Sequence, residues 1–314
     1  MLEIVTFGET MAVMAPREAG TLRYVTDFKL RIAGAESNTA IGLAKLGHTA
    51  GWISALGDDE LGEYVLSSVR SEGVDVSRVK IDASHRTGLM IKRLSRGETA
   101  VYYYRDNSAA SHLSPRDVPE DYLKDAKIIH MTGITPVLSD SCMKTTVAVA
   151  DYAKKNGILL SFDPNIRRKL WGEKNYSADI CKLMFASDIV LGGVDELSML
   201  LGSSDINEIV TNLRAHGVKY IAIKDGSRGA WCADEKDLVH VPPEKCNPID
   251  PVGAGDGFNA GFLAGILEGH DLATIGKMGA IAGAMATETQ GDVEGYPTKS
   301  QMDSRLQNSE QIYR

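Results

Sequence analysis

The segment Asp250–Phe262 reads DPVGAGDGFNAGF and is the most informative stretch of this chain. Four glycines and two aspartates surround one turn, and the apolar, small-residue run that follows predicts a helix. The N-terminus of a helix attracts anions because its first N–H groups are unpaired and its dipole is positive there. Asp256, directly after Gly255, is therefore either a simple helix cap or a base beside an anion site.

The composition predicts a globular protein that acts on small molecules. The 314 residues are 43% hydrophobic, which is enough for a large core, and the formal net charge is −8. An acidic balance disfavours nucleic acid and anionic membrane as partners. An anionic small ligand would need a local basic pocket.

The cysteines and the N-terminus point to a cytoplasmic protein. Four cysteines are scattered without a C-x-x-C pair, which disfavours a zinc site or a disulfide framework and predicts buried free thiols. No run of about 18 apolar residues occurs, so no transmembrane helix is expected. The opening MLEIVTFGET lacks a basic start and reads as a strand, not a signal peptide.

Strand-like and helix-like segments alternate along the chain. The predicted strands are EIVTFG (3–8), TAGWISALG (49–57), KIIHMTG (127–133), GILLSFD (157–163), SDIVLGG (187–193) and VKYIAIKDG (218–226). The predicted helices cover 36–47, 58–73, 139–156, 176–186, 194–201 and most of 255–289, and Asp58 or Asp59 is expected to cap the second. This alternation predicts a mostly parallel sheet covered on both faces, with ligands beyond the carboxyl ends of the strands.

Two stretches interrupt the alternation. Leu22–Gly34 and Thr87–Ser108 look like strands without helices, and the second contains the hairpin signal SRGET (95–99). Together they predict a small antiparallel sheet outside the main one. It would serve as a lid or a dimer contact, and a decorative edge hairpin is the alternative.

Three further segments carry polar groups suited to a ligand site. In Ala33–Gly47 the small residues Gly34 and Ala35 allow close approach of a ligand, and Asn38 offers a donor and an acceptor to hydroxyl groups. An ordinary helix N-terminus, without any ligand, would account for the same residues. In the loop KDGSRGA (224–230), Gly226 and Gly229 would hold nucleotide phosphates, and a tight hairpin turn explains them equally well.

The third segment, FDPNIRRKLW (162–171), follows a predicted strand. Asp163, Asn165 and Arg167 alternate, so a strand-like backbone would place all three on one side. Arg167 would then pair with a carboxylate or a phosphate. A salt bridge between Asp163 and an arginine is the alternative.

The opening segment itself fits phosphoryl transfer. Gly253, Ala254 and Gly255 would present successive backbone N–H groups to an anion at the start of the helix. Asp256 would accept a proton from a hydroxyl while this anion hole stabilises the transferred phosphoryl group. The chain has no Walker P-loop, G-x-x-x-x-G-K-[ST].

Together these features resemble the PfkB, or ribokinase-like, family of carbohydrate kinases over nearly the whole chain. The early family signature is found as AGAESN (33–38), followed by Gly47 and Gly57, and the late one as DPVGAGD (250–256). The resemblance implies a single α/β domain over 1–314, folded as a ribokinase-like three-layer α/β/α sandwich. It also implies a central mostly parallel sheet and a β-sheet lid with strands from about 14–34 and 87–108. Asp256 matches the catalytic base, and Gly253, Ala254 and Gly255 match the anion hole.

Several segments resemble the family members that phosphorylate 2-keto-3-deoxygluconate. They are YYYR (102–105), TGITP (132–136), DPNIRRKLW (163–171) and GDVEG (291–295). The resemblance implies ATP and Mg²⁺ as cofactors and leaves a monovalent cation such as K⁺ open. The implied sugar-acid contacts are Gly34, Ala35, Asn38, Tyr103, Arg105, Arg167 and Asp292. The implied nucleotide contacts are Asn165, Arg167, Lys224, Gly226, Ser227, Gly229, Gly253, Gly255 and Ala280, and Glu196 is the implied metal residue.

The chain departs from the family pattern at two positions, and two other functions compete. Gly193 stands where an asparagine is frequent three residues before Glu196, and Met90 stands where similar kinases often have tyrosine. A fructokinase-like ketose kinase is the alternative enzyme, which Arg105 and Arg167 disfavour. A sensor without turnover is the non-enzymatic alternative. The expected partners are a small sugar acid and ATP, with no nucleic acid or membrane, and a homo-oligomer formed through the lid.

Overall fold

A computed structural model describes residues 1–95 and 98–312. Its strands are Ile4–Phe7 (β1), Met11–Pro16 (β2), Phe28–Ala33 (β3), Ala50–Gly57 (β4), Val79–Asp82 (β5), Leu89–Ser95 (β6), Glu98–Tyr104 (β7), Ile128–Thr132 (β8), Leu159–Asp163 (β9), Ile189–Gly193 (β10), Tyr220–Lys224 (β11), Ala230–Ala233 (β12) and Leu238–Val241 (β13). Nine of these form the central sheet in the order β13-β12-β11-β10-β9-β8-β1-β4-β5. All of its pairs are parallel except β11–β12 and β12–β13. The mostly parallel sheet predicted from the sequence is confirmed.

Eleven helices connect and cover the strands in the described part of the chain. They are Ala35–Lys45 (α1), Glu60–Ser71 (α2), Glu120–Leu123 (α3), Asp140–Asn156 (α4), Arg168–Trp171 (α5), Ser177–Phe185 (α6), Val194–Leu201 (α7), Ile206–Ala215 (α8), Ala254–Glu268 (α9), Leu272–Thr287 (α10) and Lys299–Ile312 (α11). The last predicted helix is in fact two, α9 and α10, because Gly269 ends α9 in the left-handed conformation.

The apolar residues of each strand point alternately to two cores. Ile4 and Ile128 pack with α1, α9 and α10, whereas Val5 and Ile129 pack with α4, α6 and α8. Helices therefore cover both faces of the sheet, and the predicted three-layer α/β/α arrangement is confirmed. Burial on both faces explains why these strands read as continuous apolar runs.

Local signals fix the helix ends near the site. Asp59 caps α2, since its side chain accepts a hydrogen bond from the backbone N–H of Gly62. The predicted cap is therefore confirmed at Asp59. The Ser139 side chain caps α4 in the same way, and Gly157 ends that helix with a φ of 67°.

The four remaining strands form a small sheet in the order β3-β2-β6-β7. The predicted antiparallel arrangement is wrong for its central pair, because β2 and β6 run parallel. Strands β6 and β7 pair antiparallel, as the hairpin signal predicted, although Arg96 and Gly97 lie outside the described residues. The prediction of a strand throughout Leu22–Gly34 is wrong at its start. Leu22–Tyr24 is a 3-10 turn, and pairing begins only at Phe28, opposite Pro16. Met11–Pro16 is a strand that the sequence analysis assigned only in part.

The small sheet has an apolar inner face. Met11, Val13, Ala33 and Met90 are buried there as one cluster, with Tyr103 packed against it. Among the described residues, no helix has both the length and the apolar character needed to cross a bilayer. All four cysteines are free thiols, as predicted, but only Cys142 and Cys232 are buried.

Candidate active site

The glycine turn before α9 places Asp256 in the first turn of the helix. Gly253 is the N-cap residue and has a φ of 80°, where a side chain would be strained. A Cβ at Gly253 would also lie 2.0 Å from the Asp292 carbonyl oxygen. The Asp256 carboxylate accepts a hydrogen bond from Asn38 Nδ2 at 2.8 Å, and α9 has no side-chain cap. The carboxylate is therefore turned toward α1 and not used to close its own helix.

The surroundings of Asp256 suit a proton acceptor. Burial raises the pKa of Asp256 to about 7, and the nearby Asp163 charge acts in the same direction. The Asn38 hydrogen bond and the charges of Lys224 and Arg167 oppose this rise. A pKa near neutrality is the value that an efficient general base has at neutral pH.

The early signature forms the entry to α1. Gly34 precedes the helix, and a Cβ there would lie 2.5 Å from Thr10 Oγ1 and 2.6 Å from the Glu9 carbonyl oxygen. Close packing against Glu9 and Thr10, just before β2, therefore requires this glycine even without a ligand. Ala35 begins the helix and is buried. Asn38 Oδ1 is buried and accepts no hydrogen bond from the part of the chain that the structure describes.

A buried network crosses the carboxyl ends of β9 and β11. Lys224 Nζ lies 2.8 Å from Asp163 Oδ2 and 3.0 Å from Asn259 Oδ1, and Asn259 Nδ2 lies 2.7 Å from the same Asp163 oxygen. Burial alone would raise the pKa of Asp163, but the Lys224 charge and these hydrogen bonds outweigh it and the pKa is lowered. A Cβ at Gly255 would lie 3.7 Å from Lys224 Nζ, so this cation stands beside the glycine turn.

The expected alternation of Asp163, Asn165 and Arg167 on one side is wrong. Strand β9 ends at Asp163, and Asn165 adopts a φ of 36°, so the backbone turns before α5. Asp163 and Asn165 are buried, whereas Arg167 is exposed. Asp163 pairs with Lys224 and not with an arginine, so the salt-bridge alternative is also wrong in its partner.

Glu196 holds two chain segments together at the start of α7. Its Oε2 accepts from the Gly193 N–H at 2.9 Å, and its Oε1 accepts from the Ile166 N–H at 2.7 Å. Burial and the nearby Asp163 charge raise the pKa of Glu196. Within the described residues, no cluster of three or more His, Cys, Asp or Glu side chains is arranged to hold a metal ion.

A cavity of about 380 Å³ opens between the small sheet and these loops. Tyr103 contributes to it from β7, and Arg167 and Glu196 contribute from the opposite side. Its lining residues are Tyr103, Ile166, Arg167, Arg168, Lys169, Asp195, Glu196 and Met199. Three cationic side chains and two carboxylates line this cavity, so positive charge is in excess there in a chain whose net charge is −8. Such an excess suits an anionic ligand.

Arg105 lies behind this cavity and does not line it. Its guanidinium forms an ion pair with Glu9, and the two side chains are 5% and 1% exposed. It also lies over the Tyr103 ring, 5.7 Å from the ring centre. Gly88 makes room for Glu9, since a Cβ there would lie 2.5 Å from Glu9 Oε1.

The segment KDGSRGA forms a hairpin between β11 and β12. Gly226 and Gly229 have φ angles of 54° and 95°, and the Asp225 N–H donates to the Gly229 carbonyl oxygen. The hairpin interpretation of these glycines is therefore confirmed as local structure. Ser227 is exposed at its tip, and Ala280 is partly buried on α10.

Sequence reasoning missed two polar groups near the site. Lys92 on β6 lies 3.0 Å from Asp292 Oδ1, and both side chains are buried. The signal available in the sequence was its position two residues after Met90 on β6, which places both side chains on the same face of the small sheet. Glu36 is fully buried, and it accepts hydrogen bonds from Thr132 and Thr135.

Comparison with known proteins identifies the family. The model of the pfkB family carbohydrate kinases matches residues 1–299. The chain belongs to the PfkB family of carbohydrate kinases. It is 38% identical over 311 residues to the 2-dehydro-3-deoxygluconokinase of Bacillus subtilis (strain 168), covering 97% of this chain and 95% of that protein.

Solved structures of two other proteins share the architecture. The PfkB protein from Polaromonas sp. JS666 is 35% identical with a TM-score of 0.89, covering 97% of this kinase and 100% of that chain. An uncharacterized sugar kinase from Pyrococcus horikoshii, solved in complex with ATP, is 28% identical with a TM-score of 0.81, covering 95% and 96%. The ribokinase-like fold expected from the sequence is confirmed. As a PfkB kinase, the protein transfers a phosphoryl group to a carbohydrate hydroxyl.

Proposed function

We propose that this kinase transfers the γ-phosphoryl group of ATP to the terminal 6-hydroxyl of 2-keto-3-deoxygluconate. The observation that carries the proposal is Asp256, whose pKa is raised to about 7 beside the Gly253–Gly255 turn. The similarity to a 2-dehydro-3-deoxygluconokinase supports the choice of substrate. The basic cavity beside Tyr103 and Arg167 supports an acid over a neutral sugar.

Asp256 acts as the general base in this reaction. Its ionised carboxylate takes the proton of the 6-hydroxyl as the sugar oxygen bonds to the γ-phosphorus. The bond between that phosphorus and the bridging oxygen breaks, and ADP leaves with the electron pair. The backbone N–H groups of Gly253, Ala254 and Gly255, at the positive end of α9, stabilise the charge on the phosphoryl oxygens.

The sugar acid is proposed to lie between the small sheet and α1. Arg167 and Tyr103 face its carboxylate from the cavity, and Arg105 adds positive charge from behind Tyr103. Its hydroxyl end meets the polar residues around Asp256. The proposed contacts there are Gly34, Ala35, Asn38 and Asp292. A neutral ketose would give the Arg167 guanidinium no carboxylate to pair with, which argues against a fructokinase.

ATP is proposed to bind on the β11 side of the glycine turn. Lys224 Nζ already stands beside Gly255, and a cation there suits polyphosphate. The other proposed nucleotide contacts are Asn165, Arg167, Gly226, Ser227, Gly229, Gly253, Gly255 and Ala280. Mg²⁺, when bound, neutralises phosphate charge, and Glu196 would hold it through water, since both of its oxygens already accept backbone hydrogen bonds.

The small sheet is proposed to act as a lid and as the contact between subunits. Its outer face exposes Leu30, Tyr102 and Tyr104, which are 37%, 44% and 63% accessible. Exposed apolar side chains on one face are typical of an association surface. We place the reaction in the cytoplasm. Light scattering of the purified kinase measures its oligomeric state and so tests the proposed subunit contact.

A coupled ADP-release assay tests the proposed reaction. It compares 2-keto-3-deoxygluconate with fructose and other neutral ketoses, each with and without Mg²⁺ and K⁺. We expect turnover with the sugar acid to exceed turnover with fructose by at least tenfold. Equal use of fructose would replace this proposal with the fructokinase alternative. ATP binding without turnover on any sugar would favour the sensor.

A further inference from the structure

A buried ion pair on the inner face of the small sheet lies two contacts away from Asp256. Lys92 Nζ lies 3.0 Å from Asp292 Oδ1, and the two side chains are 4% and 7% exposed. Asp292 Oδ2 lies 3.5 Å from Asn38 Nδ2, the group that donates to Asp256. The lysine therefore stands at the end of a chain of polar contacts that begins at the proposed base.

This chain of contacts has unused hydrogen-bonding capacity. An ammonium group carries three N–H donors, and Lys92 Nζ makes one hydrogen bond to the described residues. Asn38 Oδ1 is buried and accepts none from those same residues. Buried polar groups in folded proteins are nearly always paired. The free donors and the free acceptor suit hydroxyl groups, which both donate and accept.

Holding the small sheet in place does not explain why the Lys92–Asp292 ion pair is buried. A second ion pair, between Arg31 on β3 and Glu294, already joins this sheet to the loop Gly291–Gly295. Those side chains are 10% and 40% exposed, so fastening does not require both charges to leave water. Taking two charges out of water is costly, and the Lys92–Asp292 pair bears that cost close to the base.

The following inference rests on the proposed function. We infer that Lys92, together with Asp292, contacts the sugar hydroxyls next to the reacting one and so selects the stereoisomer that is phosphorylated. In a 2-keto-3-deoxyhexonate, C3 carries no hydroxyl, so C4 and C5 carry the only hydroxyls besides the terminal one. With the terminal hydroxyl at Asp256, these two meet Asn38, Asp292 and Lys92. Inverting C4 turns its hydroxyl away and leaves the buried donor unpaired.

The size of the effect follows from the hydrogen bonds lost. A hydrogen bond to a charged group is worth about 1.5–3 kcal/mol, which corresponds to roughly 10–100-fold in kcat/KM. We therefore expect the wild-type kinase to prefer one of 2-keto-3-deoxygluconate and its C4 epimer, 2-keto-3-deoxygalactonate, by about this factor. The inference concerns the ratio between the epimers and not the absolute rate.

The experiment measures that ratio in matched variants. Lys92→Met keeps the length of the side chain and removes its donors, so kcat/KM for the preferred epimer should fall about 10–100-fold and the ratio should approach one. Lys92→Arg retains donors and should keep most of the preference. Arg31→Met removes the other contact between the small sheet and the Gly291–Gly295 loop and should leave the ratio unchanged. Thermal unfolding tests whether each variant is folded. If Lys92→Met is not folded, Asp292→Asn is measured in its place.

Three results overturn the inference: no epimer preference in the wild type, an unchanged preference in Lys92→Met, or the same loss of preference in Arg31→Met. Failure of the proposed substrate is a separate outcome. If the wild type phosphorylates fructose and neither 3-deoxy acid, the ratio is measured between fructose and its C4 epimer tagatose. The same variants then decide whether Lys92 selects the configuration at C4.

Discussion

Asn38 Nδ2 lies 2.8 Å from Asp256 Oδ2, although 218 residues separate them in the chain. This hydrogen bond joins the early signature at the start of α1 to the late signature at the start of α9. Helices α1 and α9 pack together on one face of the sheet, and Gly42 permits their approach, since a Cβ there would lie 2.5 Å from Ala260 Cβ. The two motifs that carry the family resemblance therefore form one site.

Replacing Asp256 by asparagine should abolish phosphoryl transfer while leaving ligand binding. The amide keeps the shape of the side chain and cannot accept the hydroxyl proton, and loss of a general base typically lowers the rate by ~10²–10⁴-fold. Single-turnover kinetics measures the chemical step, and calorimetry measures the affinity for ATP and for the sugar acid. Turnover near that of the wild type would mean that another group removes the proton.

The rate should depend on pH through Asp256. Its pKa of about 7 means that the carboxylate is protonated and inactive at lower pH, so kcat should fall about tenfold per unit below that value and level off above it. The Lys224 charge lowers this pKa, so Lys224→Met should move the acidic limb to higher pH. Lys224→Arg keeps the charge and should move it little. An acidic limb at the same pH in Lys224→Met and wild type contradicts the assignment.

Arg105→Met should destabilise the fold as well as weaken sugar-acid binding. It leaves Glu9 buried without its partner, and breaking a buried ion pair in this way costs about 3–5 kcal/mol. Urea unfolding measures that change, and we expect KM for the sugar acid to rise roughly 10–100-fold. KM for ATP should change little.

The double variant Glu9→Gln/Arg105→Met separates these two effects. It removes both charges, so much of the stability should return while KM for the sugar acid stays high. Recovery of KM together with stability would show that Arg105 acts on the fold alone and not on the substrate.

Glu196→Gln should raise the Mg²⁺ concentration needed for half-maximal rate. Loss of a group that holds a metal through water typically lowers metal affinity by 10–100-fold. Asp195→Asn is the matched control, because Asp195 lines the same cavity and is more exposed. Equal effects of the two substitutions would indicate a general loss of negative charge and not a Mg²⁺ contact at Glu196.

The central sheet was predictable because its signals are local. Each buried strand, such as Ile128–Thr132, is a mostly apolar run followed by a helix with its own cap, such as Ser139. The small sheet was harder to predict, since most of β3 is only partly buried or exposed and β2 ends at Pro16. Strand β2 also pairs with β6, which comes much later in the chain.

The candidate site was predictable where the backbone itself makes it. The glycine turn places Asp256 at a helix start from sequence alone. Contacts between side chains that are far apart in the sequence were not predictable, because they depend on which side chains the fold buries together. Lys92 pairs with Asp292, 200 residues away, and Arg105 is turned inward by Glu9. In the same way, Asp163 pairs with Lys224 and not with the arginines that follow it closely in the sequence.

The contact between Asn38 and Asp292 has a consequence for the chain as it leaves the ribosome. These residues are 254 positions apart, and ribosomes add about 5–20 residues per second, so the second arrives roughly 13–50 s after the first. For most of that interval Asn38 has neither of its carboxylate partners, because the other one, Asp256, is 218 positions away. Until the last part of the chain has been made, the amino-terminal strands and α1 must therefore exist without a complete pocket, either on their own or bound to a chaperone.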